Sequence, residues 1–271
     1  MNDLDVGVIY THERQWMPRL LSSMAESTGS LKTRLLLVDN VSEDGGEPYL
    51  HCFPNTQIIH NWQRLFYAAN LNRILEASTA RYVLLLNTDV YFDPDEECLL
   101  KMVRFMDCHP RCGIAGCRVY RPDGQEGYCA RRFQTFPIIM ARRLGLGGLL
   151  HRTLDHYLYR DRDLHGTWEC DWVSGCFMMV RREAYRDVGG FDTRFTKYFE
   201  DIDYSLRLAQ AGWDVMYHGA TYCYHMEARA SRRLFSTDAA QHFRSYLRWL
   251  HKWGLSPAHH IPPKRLWRQA A

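Results

Sequence analysis

The chain has 271 residues and a mass of 31.9 kDa, with 46% hydrophobic and 24% charged residues, enough to bury about three quarters of its unfolded surface and to exclude a disordered or collagen-like polymer. Thirty-four Lys and Arg against 31 Asp and Glu leave a net charge of +3, too balanced for a surface devoted to nucleic acid. Its apolar runs, such as Val83-Leu84-Leu85-Leu86, fall far short of the roughly 18 residues that span a bilayer, so no transmembrane helix is expected.

Met1-Asn2-Asp3-Leu4-Asp5 carries acids where a secretory signal carries positive charge, and a cytoplasmic location is expected. Val6 to Tyr10 reads as a buried strand, and Leu20, Leu21 and Met24 fall at helix spacing after Pro18, with Gly29-Ser30 ending that element. Leu35 to Val38 is a second strand and Gln57 to His60 a third; a helix from about Leu65 to Ala77 and a strand from Tyr82 to Leu86 follow. This alternation marks an α/β domain with parallel strands. Beyond Pro94 comes a helix bearing Leu99, Leu100, Val103 and Met106, then an irregular stretch through Arg131-Arg132-Phe133. Trp172 to Val180 reads as one strand and Arg182 to Val188 as a short helix before Gly189-Gly190.

Nine cysteines, from Cys52 to Cys223 with no Cys-x-x-Cys pair, suggest structural thiols rather than a disulfide framework or a zinc ribbon. Cys108, Cys112 and Cys117 find no companion His or Cys to complete a tetrahedral set. The organisation expected is one domain over 1–235, with a nucleotide-binding part to about 92 and an acceptor part beyond it, followed by a basic helix and tail over 236–271. Residues 229–271 hold nine Lys or Arg and one acid. Phe243, Tyr246, Leu247, Leu250 and Trp253 interleave with Arg244, Arg248 and Lys252. That pattern suits a cationic helix lying on anionic lipid, or, as the plainer reading, a helix packed on the domain with its charges in water.

Three strands end in polar clusters, Thr11-His12-Glu13, Asp39-Asn40 and Asn87-Thr88-Asp89. The carboxyl edge of an open α/β sheet is where ligands bind, so these clusters are expected to share one site. Asp89 suits Mg2+ or Mn2+, which take few protein carboxylates and complete their shell with phosphate and water; capping of the next turn is the alternative. The acids Glu200, Asp201 and Asp203 stand in the segment Phe199 to Tyr204, which opens a helix from Phe199 with an apolar stripe of Phe199, Ile202, Leu206 and Ala209. They fit either a general base or simple stabilisation of the helix dipole. His225, expected just after a strand, can complete a cation's shell or serve structurally, and Arg229, Arg232 and Arg233 beside it can hold diphosphate oxygens or remain solvated.

The order of these motifs resembles the inverting family 2 glycosyltransferases, especially their rhamnosyltransferase-like branch, over about residues 5 to 235. The segments that carry the likeness are Val8-Ile9-Tyr10-Thr11, Leu37-Val38-Asp39-Asn40, Leu84-Leu85-Leu86-Asn87-Thr88-Asp89, Asp171-Trp172-Val173-Ser174-Gly175, Gly189-Gly190-Phe191-Asp192 and Phe199-Glu200-Asp201-Ile202-Asp203. The resemblance implies a GT-A fold: a Rossmann-like, mostly parallel sheet with helices on both faces and an elaborated acceptor-binding second half. It implies a nucleotide pocket at Thr11, Glu13, Asp39, Asn40, Asn70 and Asn87, a divalent cation on Asp89 and His225, and Asp201 as base. Glu200 would position that base or the acceptor, Asp171 and Trp172 would flank the sugars, and Arg229 and Arg232 would meet the diphosphate. Asn87 stands where many relatives have an acid, which implies looser or diphosphate-dependent metal binding. Arg64-Leu65-Phe66 and His12-Glu13 also depart from the family pattern.

The activity implied is sugar transfer from a nucleotide diphosphate donor, first of all dTDP-L-rhamnose, to a glycan or lipid-linked glycan in surface polysaccharide synthesis. A peripheral place on the inner face of the membrane goes with the basic tail. Two other classes remain open at this point: a sugar-phosphate nucleotidyltransferase, which should carry a glycine-rich phosphate loop after its first strand, and a catalytically degenerate scaffold.

Overall fold

The computed structural model describes residues 2–53, 55–136, 138–139, 148, 150–226, 237–255 and 257–261. In chain order the elements are β1 (Leu4–Tyr10), α1 (Met17–Ser27), β2 (Thr33–Asp39), β3 (Thr56–His60), α2 (Tyr67–Ala77), β4 (Tyr82–Leu86), β5 (Val90–Tyr91), α3 (Cys98–Cys108), β6 (Cys112–Tyr120), β7 (Ala130–Arg131), α4 (His151–Tyr157), β8 (Thr167–Glu169), β9 (Trp172–Val173), β10 (Phe177–Arg181), α5 (Arg182–Val188), α6 (Glu200–Gln210), β11 (Asp214–His225) and α7 (Thr237–Trp253).

One sheet runs in the order β3-β2-β1-β4-β10-β6-β11-β5, with β8 added on β11. Strands β1 to β4 are parallel. Strand β10 is antiparallel to both β4 and β6, so β6 and its parallel neighbour β11 point the same way as the first four. The sheet is therefore mostly parallel. Strands β1, β2 and β4 are nearly unbroken apolar runs, as strands covered on both faces must be. Because β2 and β4 lie on opposite sides of β1, the chain reverses its direction of travel there, and the carboxyl edge at such a reversal is where open α/β sheets bind ligands. Gly7 lets α2 sit close on β1, for a Cβ at that position would occupy the space of Ile74.

Two apolar cores result. The larger lies on the sheet; the smaller gathers Phe133, Trp172, Phe195, Phe199, Ile202, Leu206, Tyr246 and Trp249. Helix α7 thus packs on the domain with one face, as one of the two readings of the tail had it. The boundary expected at 235/236 falls outside the described residues.

Several expectations are corrected in detail. The single strand expected from Trp172 to Val180 is two, because Ser174-Gly175-Cys176 makes a turn closed by Phe177 N–H on the Ser174 carbonyl at 3.2 Å. Strand β9 then leaves to pair with β7. Helix α6 begins at Glu200, not Phe199, since Tyr198 and Phe199 both adopt left-handed backbone with φ of 70° and 71°. Helix α2 begins at Tyr67 rather than near Leu65. His225 is the last residue of β11 instead of following a strand. Strand β6 had no counterpart in the sequence reading: its glycines weaken the strand pattern but are needed, for Gly113 faces Trp213 and Gly116 faces Val173, each within about 3 Å of a notional Cβ. The cysteine trio is divided, with Cys112 and Cys117 buried in β6 and Cys108 exposed at the end of α3.

Candidate functional site

The carboxyl ends of β1, β2 and β3 meet the start of α2 through a web of asparagines. Asn40 accepts the backbone N–H of Leu65 at 2.8 Å and the Asn61 amide at 2.9 Å, and its own amide reaches Thr11 Oγ1 at 3.4 Å and the Leu65 carbonyl at 3.2 Å. Asn61 also donates to Asn70 Oδ1 at 2.6 Å. Thr11, Asn40 and Asn70 are therefore brought together. Asn61, which the sequence reading passed over, joins them; its position directly after β3 repeats that of Asn40 after β2, and that was the available signal. Its Oδ1 is buried with no hydrogen-bond partner among the described residues.

Asp39 accepts from Ser42 N–H at 2.8 Å and pairs with His60 Nδ1 at 3.1 Å. Burial alone would raise this carboxyl, but Ser42 and His60 outweigh it and hold the group below its ordinary value. Glu13 turns its carboxylate back onto its own loop, accepting Thr11 N–H at 2.7 Å and His12 N–H at 2.8 Å. In a phosphate-binding loop such amides would face the anion instead. Arg64 contacts His12 at 2.6 Å, a neighbour the sequence did not reveal.

A second set lies where β4, the 174–176 turn and α6 converge. Tyr67, in the first turn of α2, points its hydroxyl at Asn87 Oδ1 (3.1 Å) and at the Gly175 carbonyl (3.0 Å). The Gly175 N–H in turn donates to Asp201 Oδ2 at 3.1 Å, and Asn87 N–H donates to the Cys176 carbonyl at 3.2 Å. One short path thus runs from Asp201 through Gly175 and Tyr67 to Asn87, two residues from Asp89. Nothing in the sequence marked Tyr67. Burial pushes the Asp201 carboxyl up, against the pull of the Gly175 N–H and the charge of Arg131. Glu200 is 4% exposed with Oε2 unpartnered among the described residues. Burial, then the Asp201 charge, push it well above its ordinary range and favour its neutral form.

On the far side of Asn87, Asp89 Oδ1 lies 3.0 Å from His225 Nε2. The Met226 N–H donates to the Asp89 carbonyl at 2.9 Å, and Val90 pairs with His225 in the β5-β11 ladder, fixing both backbones. A carboxylate oxygen and an imidazole nitrogen are donors that suit Mn2+ or Mg2+, so Asp89 and His225, now hydrogen-bonded to one another, would hold such an ion. Among the described residues no group of three or more His, Cys, Asp or Glu forms a metal cluster; the rest of a shell would come from donor and water. Arg229 and Arg232 lie outside the described residues.

Asp171 and Trp172 are turned inward. Asp171 accepts Phe133 N–H at 2.7 Å and the Tyr159 hydroxyl at 3.3 Å, and burial raises its pKa. Trp172 is buried in the smaller core and donates its indole N–H to the Arg132 carbonyl at 2.8 Å. Between them these two fasten the 131–133 segment, so that Arg131, stacked over the Trp172 ring at 5.1 Å, stands within electrostatic reach of Asp201.

The sequence profile of glycosyl transferase family 2 matches residues 5–189. The chain is 29% identical over 243 residues to the N-acetylglucosaminyl-diphospho-decaprenol L-rhamnosyltransferase of Mycobacterium tuberculosis, covering 84% of this chain and 78% of the relative. It is 28% identical over 172 residues to the rhamnosyltransferase WbbL of Escherichia coli, covering 62% and 61%. Among solved structures it is similar to the mannosyltransferase PcManGT from Pyrobaculum calidifontis in complex with GDP-Man and Mn2+, with a TM-score of 0.64, 17% identity, and 92% of this chain aligned with 64% of that one. It is likewise similar to GalNAc-T7 with UDP, GalNAc and Mn2+, with a TM-score of 0.66, 13% identity, and coverage of 93% and 48%. At these identities the solved structures speak for the fold, which is GT-A, and this chain spans less than two thirds of either.

Proposed function

The chain belongs to glycosyl transferase family 2, and we propose that it is an inverting glycosyltransferase acting on a nucleotide diphosphate sugar, first of all dTDP-L-rhamnose. The acceptor is a hydroxyl of a glycan or lipid-linked glycan in surface polysaccharide synthesis. The observation that carries this reading is the path Asp201, Gly175, Tyr67, Asn87. It joins the residue suited to be a base to the strand end that carries Asp89, which supports reading the two acids as parts of one site.

In the reaction the acceptor oxygen attacks the anomeric carbon and gives its proton to the Asp201 carboxylate. The bond from that carbon to the diphosphate breaks, the diphosphate leaves with the electron pair, and the configuration inverts. A carboxylate whose pKa is raised by burial is a stronger base than a solvated one. Burial of Glu200 next to it favours the neutral form of that carboxyl and so lessens the like charge beside the base. Thr11, Asp39, Asn40, Asn61, Asn70 and Asn87 form the nucleotide side, with Glu13 shaping its loop. Asp171 and Trp172 act by holding the Arg131 segment near the base. Asp89 and His225 would hold Mg2+ or Mn2+, which when bound supplies charge neutralisation at the diphosphate. Arg229 and Arg232 belong to the same diphosphate reading from sequence.

The two relatives named as rhamnosyltransferases support the choice of donor, and the relative named for a diphospho-decaprenol acceptor supports the lipid-linked one. A cytoplasmic place with peripheral membrane contact follows from such an acceptor. The test is release of nucleotide diphosphate from a panel of donors, with and without Mn2+, in the presence of a lipid-linked acceptor analogue. Release from dTDP-L-rhamnose with transfer to the analogue is expected. Pyrophosphate from a nucleoside triphosphate and a sugar phosphate would mean a nucleotidyltransferase, and no turnover of any donor a scaffold.

A further inference from the structure

Helix α7 has two unlike faces. The inner one is spent on the smaller core: Trp249 is 1% and Tyr246 3% exposed, and Ser245 Oγ donates to the Lys197 carbonyl at 2.9 Å. The outer one carries Phe243, 58% exposed, and Leu247, 49% exposed, one turn apart. Arg244, Arg248 and His251 are exposed along the same stripe, and Leu255 continues it beyond the helix. Apolar side chains on this face have nothing of the described protein over them.

Beside the stripe runs a groove of about 710 Å³ lined by Arg194, Phe195, Leu247, Arg248, His251 and Lys252. The acids behind its lining, Asp192 and Asp203, are already matched. Lys252 bridges Asp192 at 2.8 Å and Asp203 at 2.6 Å, Arg194 pairs with Asp192 at 2.6 Å, and Arg207 pairs with Asp203 at 2.9 Å. Arg244 and Arg248 have no acidic partner among the described residues, and Arg248 donates instead to the Arg194 carbonyl at 2.6 Å. The face therefore presents surplus positive charge together with exposed apolar groups.

We propose that this outer face of α7, with the adjoining groove, is the surface by which the protein docks on an anionic phospholipid bilayer. Phe243 and Leu247 enter the boundary between headgroups and acyl chains, and Arg244 and Arg248 meet the phosphates. A polyanion in solution would be matched by the arginines but has no use for a Phe and a Leu between them; an interfacial helix needs both. The contact lies in the plane of the interface, for no helix among the described residues is long and apolar enough to cross a membrane. The surrounding sequence has the right sign, with nine Lys or Arg and one acid over 229–271. The biological sense of this surface rests on the lipid-linked acceptor proposed above, but the contact itself needs no turnover.

The experiment is flotation of the full chain with vesicles of phosphatidylcholine alone or mixed with phosphatidylglycerol, at low and high salt. Wild type is expected to float with the anionic vesicles only and to be released by salt. Each basic residue near an anionic surface is worth about fivefold in partition, so Arg244→Glu with Arg248→Glu should lower it at least about tenfold. Phe243→Ser with Leu247→Ser should lower it by a similar factor and leave the salt dependence of the remainder. All four positions are exposed, and thermal melts of both variants should match wild type. Failure of wild type to bind, equal binding to neutral vesicles, or unchanged binding by both folded variants would overturn the proposal. Nucleotide diphosphate release with a water-soluble acceptor analogue is measured alongside. Vesicle binding without turnover sinks only the enzymatic reading, and turnover without vesicle binding sinks only the docking surface.

Discussion

Asp89 and His225 stand 136 residues apart in the chain and 3.0 Å apart in space, the carboxylate at a strand end and the imidazole at the end of the β11 ladder. Both are mostly buried, with side-chain exposures of 12% and 16%, so their geometry is preset by the sheet rather than by the donor. Asp89→Asn should lower transfer by about two orders of magnitude, the scale of losing one charge-stabilising group at a reacting centre. His225→Ala should raise the Mn2+ concentration needed for half-maximal activity by about tenfold or more. Titration of activity with Mn2+ checks both, and curves identical to wild type would remove the pair from the site.

Asp201→Asn keeps the shape of the side chain and removes its basicity. Turnover should fall by about two to four orders of magnitude, while donor binding, followed by calorimetry with the nucleotide diphosphate, stays within a few fold. In wild type the acid limb of the kcat profile should lie above that of an ordinary aspartate, because burial raises this group, and activity should rise with pH through that limb.

Tyr67→Phe deletes one hydroxyl and leaves two acceptors, Asn87 Oδ1 and the Gly175 carbonyl, without it. A stability loss of about 1–3 kcal/mol is expected. A lowered kcat with KM for donor little changed would mark Tyr67 as holding the base-bearing turn in place, whereas equal changes in both would point to the nucleotide side alone.

Glu200→Gln removes a carboxyl whose folded pKa is raised above its unfolded value. Such a group favours the unfolded state once pH exceeds the unfolded pKa, so the substitution should stabilise the protein at neutral pH, by about 0.5–2 kcal/mol, and make little difference below pH 4. Melting curves at the two pH values test the sign.

Asp5 works in the opposite direction at the far edge of the sheet. It is fully buried, pairs with Arg34 through both oxygens at 2.7 and 3.0 Å, and accepts Ser78 Oγ at 2.7 Å. Burial would raise it, but these partners hold it below its ordinary value. Its stabilisation is therefore complete above the unfolded carboxylate pKa of about 3.9 and is lost as pH falls through the lower folded value. Asp5→Ala should cost about 1–3 kcal/mol at neutral pH, since it takes their acceptor from the Ser78 hydroxyl and the Thr79 and Ala80 N–H groups. Urea titrations at pH 7 and pH 3 check this.

The first half of the fold was legible in the sequence because apolar runs of β1 to β4 are bounded by polar strand ends, and a doubly covered parallel strand leaves that signature. The same strand ends place Thr11, Asn40 and Asn87 on one edge. What escaped is the part governed by contact across the chain. Strand β6 is masked by glycines that serve Trp213 and Val173. The break at Ser174 to Cys176 was signalled only by the Ser174-Gly175 pair within a run otherwise apolar, and contacts from Asp201 and Tyr67 to Gly175 hold that turn from two other elements. The inward turn of Trp172 likewise depends on a core completed by α7, more than 60 positions later in the chain.

Tyr198 and Phe199 take up left-handed backbone in succession immediately before Glu200 and Asp201, a posture that costs bulky residues about 1–3 kcal/mol apiece. The compensation comes from α7, whose Tyr246 and Trp249 rings lie 5.9 Å from that of Phe199. Shortening the gene ahead of α7, a natural step for anyone seeking a leaner catalyst, would thus unseat the aim of the proton acceptor along with the carboxyl-terminal helix. An inactive truncate would say nothing about membranes.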